Sequence, residues 1–106
     1  MKRLSPAQRL DELDAVFSAL SHRARRQILL TLWLRGGSMG AGDIARRFEH
    51  AWPTTTRHLR VLEDAGLVRH ERVGTGRTYQ IEPTKLRVMG EWLAWFDPRA
   101  RDGEKK

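Results

Sequence analysis

The chain has 106 residues, 40% of them hydrophobic, which suffices for one small core and is too little for two domains. Twenty Lys and Arg against thirteen Asp and Glu leave a formal charge of +7 and favour a polyanionic partner, although sixteen of those cations are Arg, an excess that base composition alone can produce. No cysteine is present, which excludes disulfides, thiolate metal sites and thiol redox sensing, and no apolar run approaches the roughly twenty residues that span a bilayer, so no membrane partner is expected.

A first helix is predicted from Ser5 as N-cap and Pro6 at the first helical position, with Leu10, Leu13, Val16, Phe17 and Leu20 as its apolar stripe. Ser21 then caps a second helix, His22 to Leu34, which is expected to bury Ile28, Leu29, Leu32 and Trp33 and to turn Arg23, Arg25 and Arg26 to solvent. Residues 35–37 end it. A loose stretch, 36–42, leads to a short helix over 43–48, started by Asp43 and facing inward with Ile44, Ala45 and Phe48. Residues 49–53 form a turn, with Pro53 suited to the first turn of the next helix.

That helix, ending near residue 65, places Thr55, Leu59 and Leu62 on one side at i, i+4, i+7 and leaves Thr56, Arg57 and Arg60 on the other. Gly66 stops it. A strand over 67–73, a tip at Gly74-Thr75-Gly76 and a strand over 77–82 follow. The last helix, 84–96, is apolar almost all round, with Leu86, Met89 and Leu93 on one face, Val88, Trp92 and Trp95 on another, and a narrow charged strip at Arg87 and Glu91. Asp97 and Pro98 end it, and 98–106 is expected to be a disordered tail beyond a single unit, 1–97.

The expected fold is therefore mainly α with a small β-hairpin, in the order α-α-α-α-β-β-α, a winged helix-turn-helix whose helix pair spans 43–65. A helix showing hydroxyls and guanidinium groups fits a major groove, where Arg meets guanine acceptors and Thr meets phosphates or thymine methyls. Arg57, Thr56 and Arg60 are thus candidates for base edges or adjoining phosphates and Thr54 for the backbone at the helix start, while His58 is expected to pack at the helix edge, with a DNA contact as its alternative. Arg77 at the tip is assigned a minor-groove or phosphate contact, Arg69 and Arg72 add counterion release, and Arg46 and Arg47 flank the backbone. Each of these has a plain alternative as a solvated surface residue.

A single small domain covers only one face of the last helix, so a homodimer is expected, held by Leu10, Leu13 and Phe17 of the first helix and Leu86, Met89, Leu93 and Phe96 of the last. Two recognition helices about 34 Å apart then match successive major grooves of palindromic double-stranded DNA. The competing reading is a protein-docking module using Trp52, Trp92 and Trp95. An enzyme is not expected: there is no Cys, no Ser-His-Asp arrangement is suggested, and the 74–76 glycines join two strands instead of preceding a helix.

Over roughly residues 12 to 96 the chain resembles the ArsR-type winged-helix repressors of bacteria. Phe17-Ser-Ala-Leu-Ser-His-Arg-Ala-Arg-Arg-Gln-Ile-Leu29 is similar to that family's second-helix opening, Thr56-Arg-His-Leu-Arg-Val-Leu-Glu-Asp-Ala-Gly-Leu-Val68 to its recognition segment, and Gly76-Arg-Thr-Tyr79 to its wing. The resemblance implies a cytoplasmic dimeric repressor, at the nucleoid when bound, that occludes a promoter, often its own, and releases it on a signal. Three positions depart from the pattern: Arg23 replaces a Pro, Ala51 replaces a capping Ser or Thr, and Thr55 replaces a buried aliphatic residue, with its methyl expected inward and its hydroxyl bonded to backbone. Many relatives hold metal through paired Cys in the third helix or Asp and His near the last. Here 41–48 has no thiol, 83–106 has no histidine, and His22, His50, His58 and His70 show no i, i+4 pairing. No metal and no cofactor are expected. An effector is left open; a small apolar ligand near Trp33, Trp92 and Trp95 competes with a core role for those rings.

Overall fold

A computed structural model describes residues 6–48 and 52–99. Eight elements follow in order: α1 (Pro6–Leu20), α2 (Arg23–Leu34), β1 (Ser38–Gly40), α3 (Ala41–Arg47), α4 (Trp52–Asp64), β2 (Val68–Val73), β3 (Gly76–Ile81) and α5 (Thr84–Ala94). The predicted Ser5 cap and the Ala51 position fall outside the described residues, as does the tail from residue 100.

The strand β1 is an addition to the expected hairpin. It turns the wing into a three-stranded antiparallel sheet of order β1-β3-β2, pairing Ser38 with Gln80, Met39 with Tyr79 and Gly40 with Thr78. Three residues, preceded by Gly37 and ending in Gly40, with no β-branched side chain, carry no period-two signal; the strand exists because β3 offers a free edge and Met39 is buried against the core.

The core gathers Val16 and Ala19 of α1, Ile28 and Leu32 of α2, Met39 of β1, Ile44 of α3, Leu59 and Leu62 of α4, Leu67, Val68 and Tyr79. Each fully buried Leu or Ile contributes about 2 kcal/mol of transfer free energy. On α2 the inward set is Ala24, Ile28 and Leu32, at i, i+4, i+8, and 3.6 residues per turn carry the next residue off that stripe. Trp33, expected to be buried, is accordingly 70% exposed, beside the exposed Leu30 and Leu34. Ser21, expected to open α2, closes α1 instead: its hydroxyl donates to the Ser18 carbonyl at 2.7 Å, and His22 takes the N-cap position without a side-chain bond.

Helix α4 ends in a Schellman motif. Leu67 N–H donates to Leu62 O and Gly66 N–H to Glu63 O, both at 2.9 Å, around a Gly66 φ of +79° that L side chains rarely adopt. A Cβ at Gly66 would also stand 3.0 Å from Lys85 Cγ, so the stop predicted at this glycine has both a conformational and a steric cause. The recognition helix is thereby delivered into β2 at a fixed angle.

Candidate nucleic-acid interface

On α4 the inward residues are Thr55, His58, Leu59 and Leu62, and Arg57 and Arg60 are exposed with no ion-pair partner among the described residues. Two guanidinium groups three residues apart thus stand on the outer face of the helix, as the periodicity implies. Thr54 is half-buried at the helix start. Thr56 is also half-buried, but its Oγ1 is enclosed and lacks a hydrogen-bond partner, so the part of it that meets solvent is not its hydroxyl.

His58 does not belong to that outer face. It is 7% exposed, its ring lies 4.7 Å from that of His22, and its Nδ1 is 3.4 Å from a guanidinium nitrogen of Arg25. The position is one residue before Leu59, inside the buried arc of the helix, so it packs as expected and the DNA contact considered for it is withdrawn.

Thr55 is 1% exposed, and its Oγ1 has no hydrogen-bond partner among the described residues, so the expected bond to backbone is not seen there. Enclosing an unpaired hydroxyl costs about 1–3 kcal/mol, and valine keeps the volume and branching without it. Thr55→Val is expected to raise stability by about 1 kcal/mol, seen as a rise of roughly 4–8 °C in the thermal midpoint.

The wing is a two-residue hairpin with Gly74, at φ +60°, as the first loop residue. Beyond Val68 and Tyr79 its strands leave the core, and 69–77 are exposed. Register divides its arginines. Arg72 is paired directly with Arg77, and with the His70–Tyr79 pair they share one face, since residues two apart on a strand project to the same side. That face is turned toward α4, because His70 Nδ1 contacts Glu63 Oε2 of α4 at 2.7 Å and its ring packs on Tyr79 at 5.4 Å. Neither Arg72 nor Arg77 has an ion-pair partner among the described residues, and like charges directly opposed on a ribbon are unfavourable until an anion lies between them. Arg69 lies on the other face, 3.7 Å from Glu82. Hydrogen bonds from the Thr84 hydroxyl and backbone hold the Glu82 carboxyl below its ordinary pKa, with the charges of Arg69 and Arg87 adding to them. Arg69 is therefore engaged where Arg72 and Arg77 are not.

Arg46 pairs with Asp43, and together with Arg47, Arg35, Ser38 and Met39 they line a cavity of about 410 Å³ beside β1. Among the described residues no group of three or more His, Asp or Glu is placed to hold a metal ion, and no helix is long and apolar enough to cross a membrane.

The residues expected to join two copies separate into three groups. Leu10 (57%), Phe17 (37%), Leu93 (50%) and Phe96 (69%) are exposed along α1 and the end of α5, with Trp95 (68%) beside them. Phe17 and Trp92 meet edge to face at 5.5 Å, and Trp92 meets Phe96 at 5.0 Å. Leu13, however, is 5% exposed and lies on the core side with Val16 and Ala19, so it is withdrawn from the contact set. Leu86 and Met89 are half-buried against the core and offer only their outer edges. Two contacts had no sequence signal: Glu63–His70, which ties the recognition helix to the wing, and Arg25, which is half-buried against α1 instead of solvated.

Residues 20–71 match the Helix-turn-helix domain family. The chain is 36% identical over 84 residues to the transcriptional repressor SdpR of Bacillus subtilis strain 168, covering 79% of this chain and 91% of that one. Among solved structures, the ArsR family transcriptional regulator RHA00566 superposes with a TM-score of 0.73 at 30% identity, covering 89% of this chain and 90% of that one. The homodimeric winged helix-turn-helix DNA-binding domain Mb0332 of Mycobacterium bovis superposes with a TM-score of 0.69 at 29% identity, covering 92% and 91%.

Proposed function

Because the chain belongs to the ArsR-type family of winged helix-turn-helix transcriptional regulators, we propose that it is a homodimeric repressor that occupies a palindromic operator and is not released by metal. Both DNA binding and dimerisation are assigned to 1–97 as one unit. In this reading Arg57 and Arg60 meet base edges or adjoining phosphates, Thr56 offers its methyl to a thymine methyl, and Thr54 sits at the backbone. Arg72 and Arg77 close on a flanking phosphate or minor groove, and Arg69 adds long-range attraction. The exposed parts of Leu10, Phe17, Leu93 and Phe96 join the two copies, as the homodimeric relative makes plausible. The absence of Cys from the chain and of His from 83–106 supports a signal other than metal. Occlusion of its own promoter is the simplest regulatory circuit for such a protein.

The observation that carries this reading is the pairing of Arg72 with Arg77 on the wing face turned toward α4, next to a recognition helix whose outer arginines are also unpaired. Filter binding of promoter DNA at two salt concentrations tests it. A steep loss of affinity with salt is expected, and Arg77→Ala should reduce the slope of log K against log salt by about two for a dimer, one phosphate from each protomer. A protein-docking module would show no such slope.

A further inference from the structure

The last carbonyls of a helix have no partner within it and sit at the negative end of its dipole. At the end of α1 they are taken by two arginines of α2. Arg25 Nε donates to Ala19 O at 2.6 Å and a terminal nitrogen to Ser18 O at 3.3 Å, while Arg26 donates to Leu20 O at 2.7 Å. The two differ in what else they reach. The other terminal nitrogen of Arg25 is 3.4 Å from His58 Nδ1, in the middle of the recognition helix. Guanidinium has donors only, so in this contact His58 Nδ1 is the acceptor. The His22 ring packs on that of His58 at 4.7 Å.

Helix α1 packs on α2 and α5, whereas α4 packs on α2, α3 and β2. The helix pair proposed to form the dimer therefore meets the recognition helix through α2, and Arg25 is the side chain of α2 that bonds to both. A planar fork of fixed donors suits this task, because it fixes the angle between its acceptors, which a single ammonium does not.

We propose that Arg25, acting through its contact with His58, is a positioning residue that sets the recognition helix relative to the dimer axis, and so determines which half-site spacing the protein accepts. This rests on the dimeric DNA-binding reading above. Arg26 provides the internal control, since it caps the same helix end without reaching α4.

The test uses duplexes that the wild-type protein selects from a random library, each rebuilt with half-sites moved two base pairs closer or farther apart, and as a single half-site. Affinities are read by fluorescence anisotropy. Wild type is expected to prefer the selected spacing strongly, and Arg25→Gln and His58→Phe to lose about tenfold or more of that preference while single half-site binding changes little. Arg26→Gln, which removes a cap alone, should keep the preference, and so should His58→Asn, whose Oδ1 replaces the accepting nitrogen. Should Arg25→Gln fail to fold, the contrast between His58→Phe and His58→Asn decides the matter. Unchanged spacing preference in Arg25→Gln or His58→Phe, or equal loss in Arg26→Gln, would overturn the positioning role while leaving the parent reading intact. A wild type indifferent to paired half-sites overturns both.

Discussion

Replacing Arg57 with alanine is expected to remove most sequence preference while leaving the protein folded. The side chain is exposed on α4, has no ion-pair partner among the described residues and packs against no core residue, so the thermal midpoint should move little. A two-pronged Arg contact to guanine contributes about 1–3 kcal/mol of discrimination, roughly fivefold to a hundred-and-fifty-fold for each half-site. A dimer carries two copies, so the loss on a palindrome is about the square of that figure. Anisotropy titrations against the selected operator and scrambled DNA read this directly: specific affinity should collapse toward the non-specific value. A variant that kept the wild-type ratio of specific to scrambled binding would show that Arg57 contacts phosphate alone or no DNA.

The second large effect is expected from charge placed on the outer face of α1 and α5. Leu93 and Phe96 are half or more exposed, so Leu93→Glu combined with Phe96→Glu removes no core contact in the single chain. Across a two-fold axis each new carboxylate meets the other copy's apolar face and its own counterpart, and carboxylates buried there without partners cost several kcal/mol. Sedimentation velocity at micromolar concentration should therefore show a monomer with unchanged circular dichroism. Losing the linkage between half-sites is expected to weaken palindrome binding by about a hundredfold to ten-thousandfold, with single half-site binding preserved. The control is Leu13→Glu, expected to unfold the chain, because Leu13 is 5% exposed and packs inward. A Leu93/Phe96 variant that remained dimeric would move the interface elsewhere, with the exposed Leu30, Trp33 and Leu34 of α2 the next surface to test.

Much of this architecture is legible in residue order, and the failures have specific causes. Helices with apolar residues at three- and four-residue spacing, the glycine stop at Gly66 and the glycine-tipped hairpin follow from backbone chemistry that acts locally. Burial on a stripe's margin does not. Leu13, Trp33 and His58 each sit within a residue or two of a correctly oriented neighbour, and which side of the margin they take is set by how the assembled core closes over the stripe, as where Arg25 of α2 meets His58 of α4. The strand β1 is similarly non-local, since its only reason to be extended is the edge of β3. The outward placement of Arg57 and Arg60 is readable from period alone. The separation of Arg69 from Arg72 and Arg77 required the hairpin register, which pairs Arg72 with Arg77 and leaves Arg69 opposite Gln80.

The strand order β1-β3-β2 also leaves β2 on the rim of the sheet, where exposed backbone groups invite another chain to pair. Arg69, His70, Glu71 and Arg72 follow one another along that rim, so an identical strand laid alongside in register would bring arginine against arginine and glutamate against glutamate. Sheet extension along this edge is thereby discouraged.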